Sequence, residues 1–306
     1  MLMLVNLPDY VGAGDPTGNV AIMTNKGFEL ELSYHKQIDK LIFDIKANGS
    51  YLENEVTDIG DFEFLTNGIV QSTQFPVQRT QPGHAIGSFY GYQVLGIFQN
   101  IAEVQHHKGA DGKEIQPDAQ PGDFQFADLN KDGKITADDR TFIGDPTPTW
   151  SYGFTISASY RNFDLLAFGQ GVAGNEIYNG FRRLDIPAAN MTTEALDRFT
   201  VDRPSETYPR LVKGDPNNNF IYPSTFMLTS GAYFRIKAVQ IGYNLPKAAL
   251  NRIGLQQIRV YIGANNLATF TKYKGFDPEI GGGSFGIDRG IYPQARTFMA
   301  GINVTI

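Results

Sequence analysis

The chain has 306 residues, with 33 Gly, 22 Phe and 15 Tyr beside one Trp and no Cys, a profile that suits strands, tight turns and aromatic bands and not a helical bundle. Zero cysteines exclude disulfide frameworks, thiolate metal sites and cysteine nucleophiles, and a formal charge of −6 without any Lys/Arg run argues against nucleic acid as a partner. No stretch approaches the ~18 apolar residues of a membrane-spanning helix, whereas barrel strands of ~9–11 alternating residues fit easily within a mean hydropathy of −0.25.

The first eighteen residues, MLMLVNLPDYVGAGDPTG, hold an apolar run only from Met1 to Val5 and no cationic lead, too short for a secretory leader. An exported protein with this sequence is expected to carry its signal upstream of residue 1. The first strong pattern is Gly27–His35, where Phe28, Leu30, Leu32 and Tyr34 alternate with Glu29, Glu31, Ser33 and His35. After the link Lys36–Lys40 it resumes, with Phe43, Ile45, Ala47, Gly49 and Tyr51 opposed to Asp44, Lys46, Asn48 and Ser50. Period-two runs of this length joined by a short link predict an antiparallel hairpin.

The pattern returns at Tyr152–Tyr160, turns near Asn162 and continues through Asp164–Gly174; it recurs at Val239–Tyr243, Ile258–Asn265 and Phe298–Ile306. With weaker runs near Gly87–Phe98 and Phe226–Tyr233, about eight strands are expected. Between the hairpins lie long polar connections at Glu55–His84, Asn100–Asp145, Gly174–Pro223 and Lys272–Pro293, rich in Gly, Pro, Asp and Asn. Short links alternating with very long ones predict an all-β, antiparallel transmembrane β-barrel with tight turns on one rim and long extracellular loops on the other. A secreted β-sandwich alternates in the same way and stays open as a reading. Tyr34, Tyr160, Phe163 and Tyr243 fall near short turns, as an interfacial aromatic band requires.

One segment carries sharp chemistry. Residues 128–139, DLNKDGKITADD, match a calcium-loop template. Oxygens of Asp128, Asn130 and Asp132 at positions 1, 3 and 5 converge on a hard cation, and Gly133 permits the turn; Lys134 offers its carbonyl, Thr136 its hydroxyl or a water, and Asp139 closes the shell where an EF-hand has Glu. Ile135 is expected to pack behind the loop. No flanking helices of EF-hand length are evident, so a structural calcium that stiffens an outer loop is the expected cofactor; a turn that binds nothing is the alternative. Glu29 and Glu31 share a face at a spacing two hydrolytic carboxylates could use, but solvated lumen residues are the plainer reading. His35, His84, His106 and His107 form no metal spacing, since the adjacent pair on a strand would point apart. Without a nucleophile elbow, an H-E-x-x-H helix or a phosphate loop, no catalytic residue is assigned and no enzyme is expected; Gly281–Ser284 reads as a surface loop.

Residues 122–154, GDFQFADLNKDGKITADDRTFIGDPTPTWSYGF, resemble the hallmark of SusC/RagA-like TonB-linked outer-membrane proteins. The resemblance continues in order through Asn25–Ser33, Gly87–Gln99, Tyr233–Pro246, Ile258–Thr271, Gly275–Glu279 and Tyr292–Ile306. It implies that residues 1–306 are the C-terminal portion of a barrel of 22 strands, with the calcium-loop insert at 122–145 and the plug domain outside the sequence. It further implies a nutrient receptor for oligosaccharide or peptide, a SusD-like surface lipoprotein partner, energising by TonB, and residence in outer-membrane lipid. The ending Gly301-x-x-Val304-x-Ile306 is similar to barrel assembly signals, with Ile where Phe is common. Specificity is expected from the loop surfaces Asn100–Gln120 and Tyr178–Pro223. The rival reading is a secreted calcium-dependent glycan-binding sandwich.

Overall fold

The computed structural model describes residues 2–4, 17–19, 21–70, 73, 75–182, 189–250, 254–280 and 282–306. Of the leader-like segment only Leu2–Leu4, Thr17 and Gly18 fall within that set, and there Leu2–Leu4 pairs with Thr17–Asn19.

Seven strands form one antiparallel sheet: β1 (Ile22–Ile38), β2 (Leu41–Asp58), β3 (Trp150–Tyr160), β4 (Phe163–Ala173), β5 (Tyr233–Asn244), β6 (Gln257–Thr271) and β7 (Thr297–Thr305). Their order in space is their order in sequence, a meander with β1 and β7 as its edges. The link expected at Lys36–Lys40 is tighter than composition indicated: Ile38 already pairs with Leu41, so Asp39 and Lys40 alone turn the chain, with Asp39 at φ 52°. Arg161 and Asn162 make the matching turn between Tyr160 and Phe163. These turns, with the connection between β5 and β6, lie on one rim; the three long connections leave from the other.

The registers put the sequence pattern on two faces. Phe28, Tyr51, Trp150 and Ala173 are cross-strand neighbours in a row, as are Tyr34, Ile45, Ile156, Ala167, Val239, Ala264 and Phe298. Leu32, Ile262 and Ile302 on this face are 59%, 61% and 66% exposed. Apolar rows this open have no second sheet packed on them, so the sandwich reading is not met; they are the outward band of a barrel wall. The opposite face carries Glu29, Glu31, Lys46, Asn48, Ser50, Ser151, Thr155, Gln170 and Asn265.

Aromatic bands mark both ends of the apolar face. Near the tight turns, Tyr34 meets Phe43 at 5.9 Å and Phe163 meets Tyr243 at 4.8 Å. Toward the other rim Phe28, Tyr51 and Trp150 pack with centroids 5.0–5.8 Å apart, and Phe234 contacts Tyr152, Phe154 and Phe270. Tyr34 and Phe28 are six residues apart on one strand, about 20 Å, close to the height of a lipid-facing band.

A bulge on β5 adjusts this wall. Phe168 pairs with Ala238 but Gly169 pairs with Ile236, leaving Lys237 as an extra residue on β5. Phe234 and Ile236 face outward before it, and Val239, Ile241 and Tyr243 face outward after it. The even-to-odd switch lets one strand serve both ends of the apolar band.

The wall accounts for seven strands. Gly87–Phe98 and Phe226–Tyr233 do not extend it: they contribute Ser88–Tyr92, Val94–Ile97 and Leu228–Ser230 to small sheets above the rim, and only Tyr233 begins a wall strand. The long outer connections therefore carry strands of their own. Ser88–Tyr92, Gln78–Thr80, Leu65–Asn67 and Arg140–Gly144 form a four-stranded sheet, and Glu176–Asn179 pairs with Leu228–Ser230 and Ile287–Asp288. The dry core of the described residues lies here, in one cluster around Val77, Phe89, Tyr178, Phe220, Met227 and Ile287 and a second around Tyr92, Ile97, Phe124, Phe126 and Phe199. A wall that meets lipid on one side and water on the other has little interior to bury, so packing moves to the loops.

Candidate functional site

The polar face of the wall and the cap of folded loops above it form the candidate site. On the wall, Glu29, Glu31, Asn48, Ser50, Gln170 and Val172 line an open groove of ≈ 540 Å³. Glu29 and Glu31 pair across the strands with Ser50 and Asn48, an open wall position rather than an enclosed acid–base pair. His35 contacts Asp44 at 2.6 Å, and His84 stacks on Phe142. His106 and His107 end a short helix, Ile101–His106, and not a strand as expected; His106 bonds the Ala102 carbonyl while His107 turns toward Gln125, so the two diverge. Gly282–Ser284 is a 3₁₀ turn, and Gly281 lies outside the described residues.

The hallmark segment explains itself residue by residue. Gly122 adopts φ 94°, and a Cβ there would lie 2.4 Å from the Phe199 ring, so only glycine fits. Phe124 and Phe126 alternate into the second core cluster. Asp123, fully buried, receives a two-point contact from Arg210, with Nε at 2.6 Å and Nη2 at 2.8 Å, and further hydrogen bonds from Asn219 Nδ2 and the Gln120 N–H. Gln116 donates to the Phe124 carbonyl and to Asn217 Oδ1, and accepts from the Phe126 N–H. A satisfied buried network thus joins the two loops named as specificity surfaces. Burial raises the carboxyl of Asp215 above the ordinary aspartate value, against the opposing effect of the Phe220 and Asn219 N–H groups it accepts from.

The third long loop is pinned to the wall. Arg235, 2% exposed, contacts Asp277 at 2.5 Å and Glu279 at 2.7 Å, and Lys237 from the bulge also reaches Glu279. Asp277 accepts from the Gln294 and Glu279 N–H groups; these bonds and Arg235 outweigh burial and hold its carboxyl below the usual range. Sequence reading identified Gly275–Glu279 as a block without finding this role. The separation hid it, because Arg235 lies 42 residues from Asp277.

The calcium-template residues come together in part. Carboxylate oxygens of Asp128, Asp132 and Asp139 lie within 4.8 Å of one another. Gly133 at φ 82° and Lys131 at φ 61° shape the turn. Asp128 Oδ2 accepts from the Gly133 N–H, while its Oδ1 is buried with no hydrogen-bond partner. Asn130 Oδ1 accepts from the Asp132 N–H, and Asp132 Oδ1 from the Lys134 N–H. Asp139 is fully buried; its Oδ1 accepts from Leu129 and its Oδ2 from Thr136, whose hydroxyl caps the 3₁₀ turn Ala137–Asp139. Ile135 packs against the second core cluster, as expected from position 8. A buried carboxylate oxygen without a donor, beside two more carboxylates, is the donor set that a hard divalent cation satisfies.

Comparison with known proteins places this architecture. No family model matches the chain. Over 97% of its length it is 32% identical to TonB-dependent receptor P3 of Formosa agariphila, and over 94% it is 26% identical to TonB-dependent receptor SusC of Bacteroides thetaiotaomicron. The structure of the RagAB peptide transporter matches the whole chain with TM-score 0.77 at 23% identity. The chain spans about 30% of the length of P3, 27% of SusC and 32% of the RagAB chain. Along nearly its whole length this sequence is similar to SusC and other TonB-dependent receptors, and its wall shares the fold of the RagAB transporter.

Proposed function

We propose that this chain supplies the C-terminal barrel wall and outer loop cap of an outer-membrane nutrient importer that takes up oligosaccharide or peptide. Residues 1–306 correspond on this reading to the last part of the barrel, with the plug contributed by sequence outside the chain. A SusD-like lipoprotein closes over the loops, and TonB engages the plug. The observation that supports it best is the two-faced wall: apolar rows open to lipid on one side, a polar groove on the other, and a loop cap with its own core above one rim. The polar face and cap line the route of the solute, with no covalent chemistry asked of them. The relatives P3 and SusC are TonB-dependent receptors.

Within the cap, Asp128, Asn130, Asp132, Lys134, Thr136 and Asp139 hold a structural calcium, with the first three and the last offering side-chain oxygens, Lys134 its carbonyl and Thr136 its hydroxyl. The ion neutralises clustered carboxylates and fixes Ile135 in the core.

The test is uptake in the native bacterium. Deleting the gene abolishes growth on one oligosaccharide or peptide source from a panel, and deleting tonB gives the same defect. Unchanged growth on every source overturns the importer reading.

A further inference from the structure

Two arginines of the cap stand apart from the ion-paired arginines of the network. Arg79, on the short strand Gln78–Thr80, has its guanidinium carbon 3.7 Å from the Phe64 ring centroid and 4.6 Å from that of Tyr90. Arg140 lies 4.4 Å from Phe75 and 5.4 Å from the same Tyr90. Arg210 and Arg235 each meet a carboxylate within 2.6 Å, but among the described residues neither Arg79 nor Arg140 has one within ion-pair reach. Arg79 Nε is buried without a hydrogen-bond partner, and Arg140 Nε donates to the Ala137 carbonyl.

Rings over the faces of a guanidinium dry it and leave only its in-plane N–H edge to bond. That edge matches the two oxygens of a carboxylate, and a partly dried cation binds one more strongly than a hydrated one. Two such cations held on one tyrosine also repel each other, a cost that an anion shared between them relieves.

We propose that Arg79 and Arg140, layered with Phe64, Phe75 and Tyr90, form a carboxylate-binding site for an acidic solute. The assignment rests on the importer reading and narrows its substrate to oligomers that carry carboxylates, whether uronic-acid residues or acidic side chains.

The experiment measures binding to the full-length protein purified in detergent, using tri-galacturonate against its methyl ester and tri-glutamate against tri-glutamine. One acid binds at least tenfold tighter than its neutral counterpart, and which acid does so identifies the source of the carboxylate. The preference falls below twofold in the double variant Arg79→Gln/Arg140→Gln and survives in part in Arg79→Lys, which keeps charge without the planar fork. Arg140→Gln alone, which leaves the Phe64–Arg79–Tyr90 stack in place, lowers it about threefold and guards against a misfolded double variant. No preference for either acid, or a preference that persists in the double variant, overturns the site. Neutral oligomers that enter cells by a TonB-dependent route without such preference would remove this assignment and leave the importer standing.

Discussion

Asp123 and Arg210, 87 residues apart, face each other through two parallel hydrogen bonds of 2.6 and 2.8 Å, and the carboxylate is completely buried. The pair joins the hallmark segment to the loop that follows β4, so two stretches that read as separate surface loops behave as one folded unit. Removing one partner of a buried pair leaves the other charge unpaired and costs about 3–5 kcal/mol. Asp123→Ala is therefore expected to open the cap to limited proteolysis and to speed hydrogen exchange across residues 116–126 and 208–220. Unaltered exchange in both segments would show that the pair does not hold them.

On the proposed calcium reading, the same cap is expected to become more rigid with the ion bound. Calorimetry on the purified protein is expected to show one calcium site, lost in Asp128→Asn and in Asp132→Asn, with magnesium binding far more weakly because the loop is built for a larger coordination shell. Chelation raises protease cutting between residues 128 and 139. Asp139 plays a second role, since its oxygens brace Leu129 and Thr136; Asp139→Ala loosens the loop even with calcium absent, which the other two variants do not.

Acidity acts through Asp145, which lines a cleft with Glu53, Glu55 and Glu176. Burial raises its carboxyl above the ordinary 3.8, against the hydrogen bond it accepts from the Thr147 N–H. The folded state then holds its proton at pH values where the unfolded chain has released it, so stability from this group falls as pH rises through the window above 3.8 and is regained on acidification. Asp145→Asn is expected to flatten that part of the pH profile of thermal unfolding between pH 4 and pH 7. A profile identical to the unsubstituted protein would assign the slope elsewhere.

Both edges of the seven-stranded wall, β1 and β7, are free of strand partners among the described residues. Each unpaired backbone group costs several kcal/mol in hydrocarbon. Expressed alone, residues 1–306 are expected neither to close nor to conduct. Solute flux into liposomes carrying only this chain would contradict that expectation.

The wall was legible because its signal is local: Phe28, Leu30, Leu32 and Tyr34 alternate within one strand and need no partner to be seen. The chain order of strands and the turn near Asn162 followed from the same period, while the turn at Asp39 and Lys40 is shorter than the link it indicated. The cap was not legible, because its order depends on contacts such as Gln116 with Asn217 and Arg235 with Asp277, whose spacing carries no periodicity. Composition also misled there, since isolated buried side chains such as Phe89, Tyr178 and Ile287 are diluted by the glycine, proline and asparagine around them. The gathering of Asp128, Asp132 and Asp139 was legible in their spacing, while the bracing role of Asp139 was not, because it comes from backbone N–H groups that any residues would supply.

The extra residue at Lys237 has a consequence for how this wall tolerates change. Ahead of it the outward positions on β5 are even-numbered, and beyond it they are odd. Excising that one lysine would set Ile236 and Ala238 opposite Gly169 and Phe168 without a break, so Gln240 would still face water and Ile241 the bilayer. A one-codon deletion within Val239–Tyr243, away from the bulge, would instead invert the positions beyond it to the next turn.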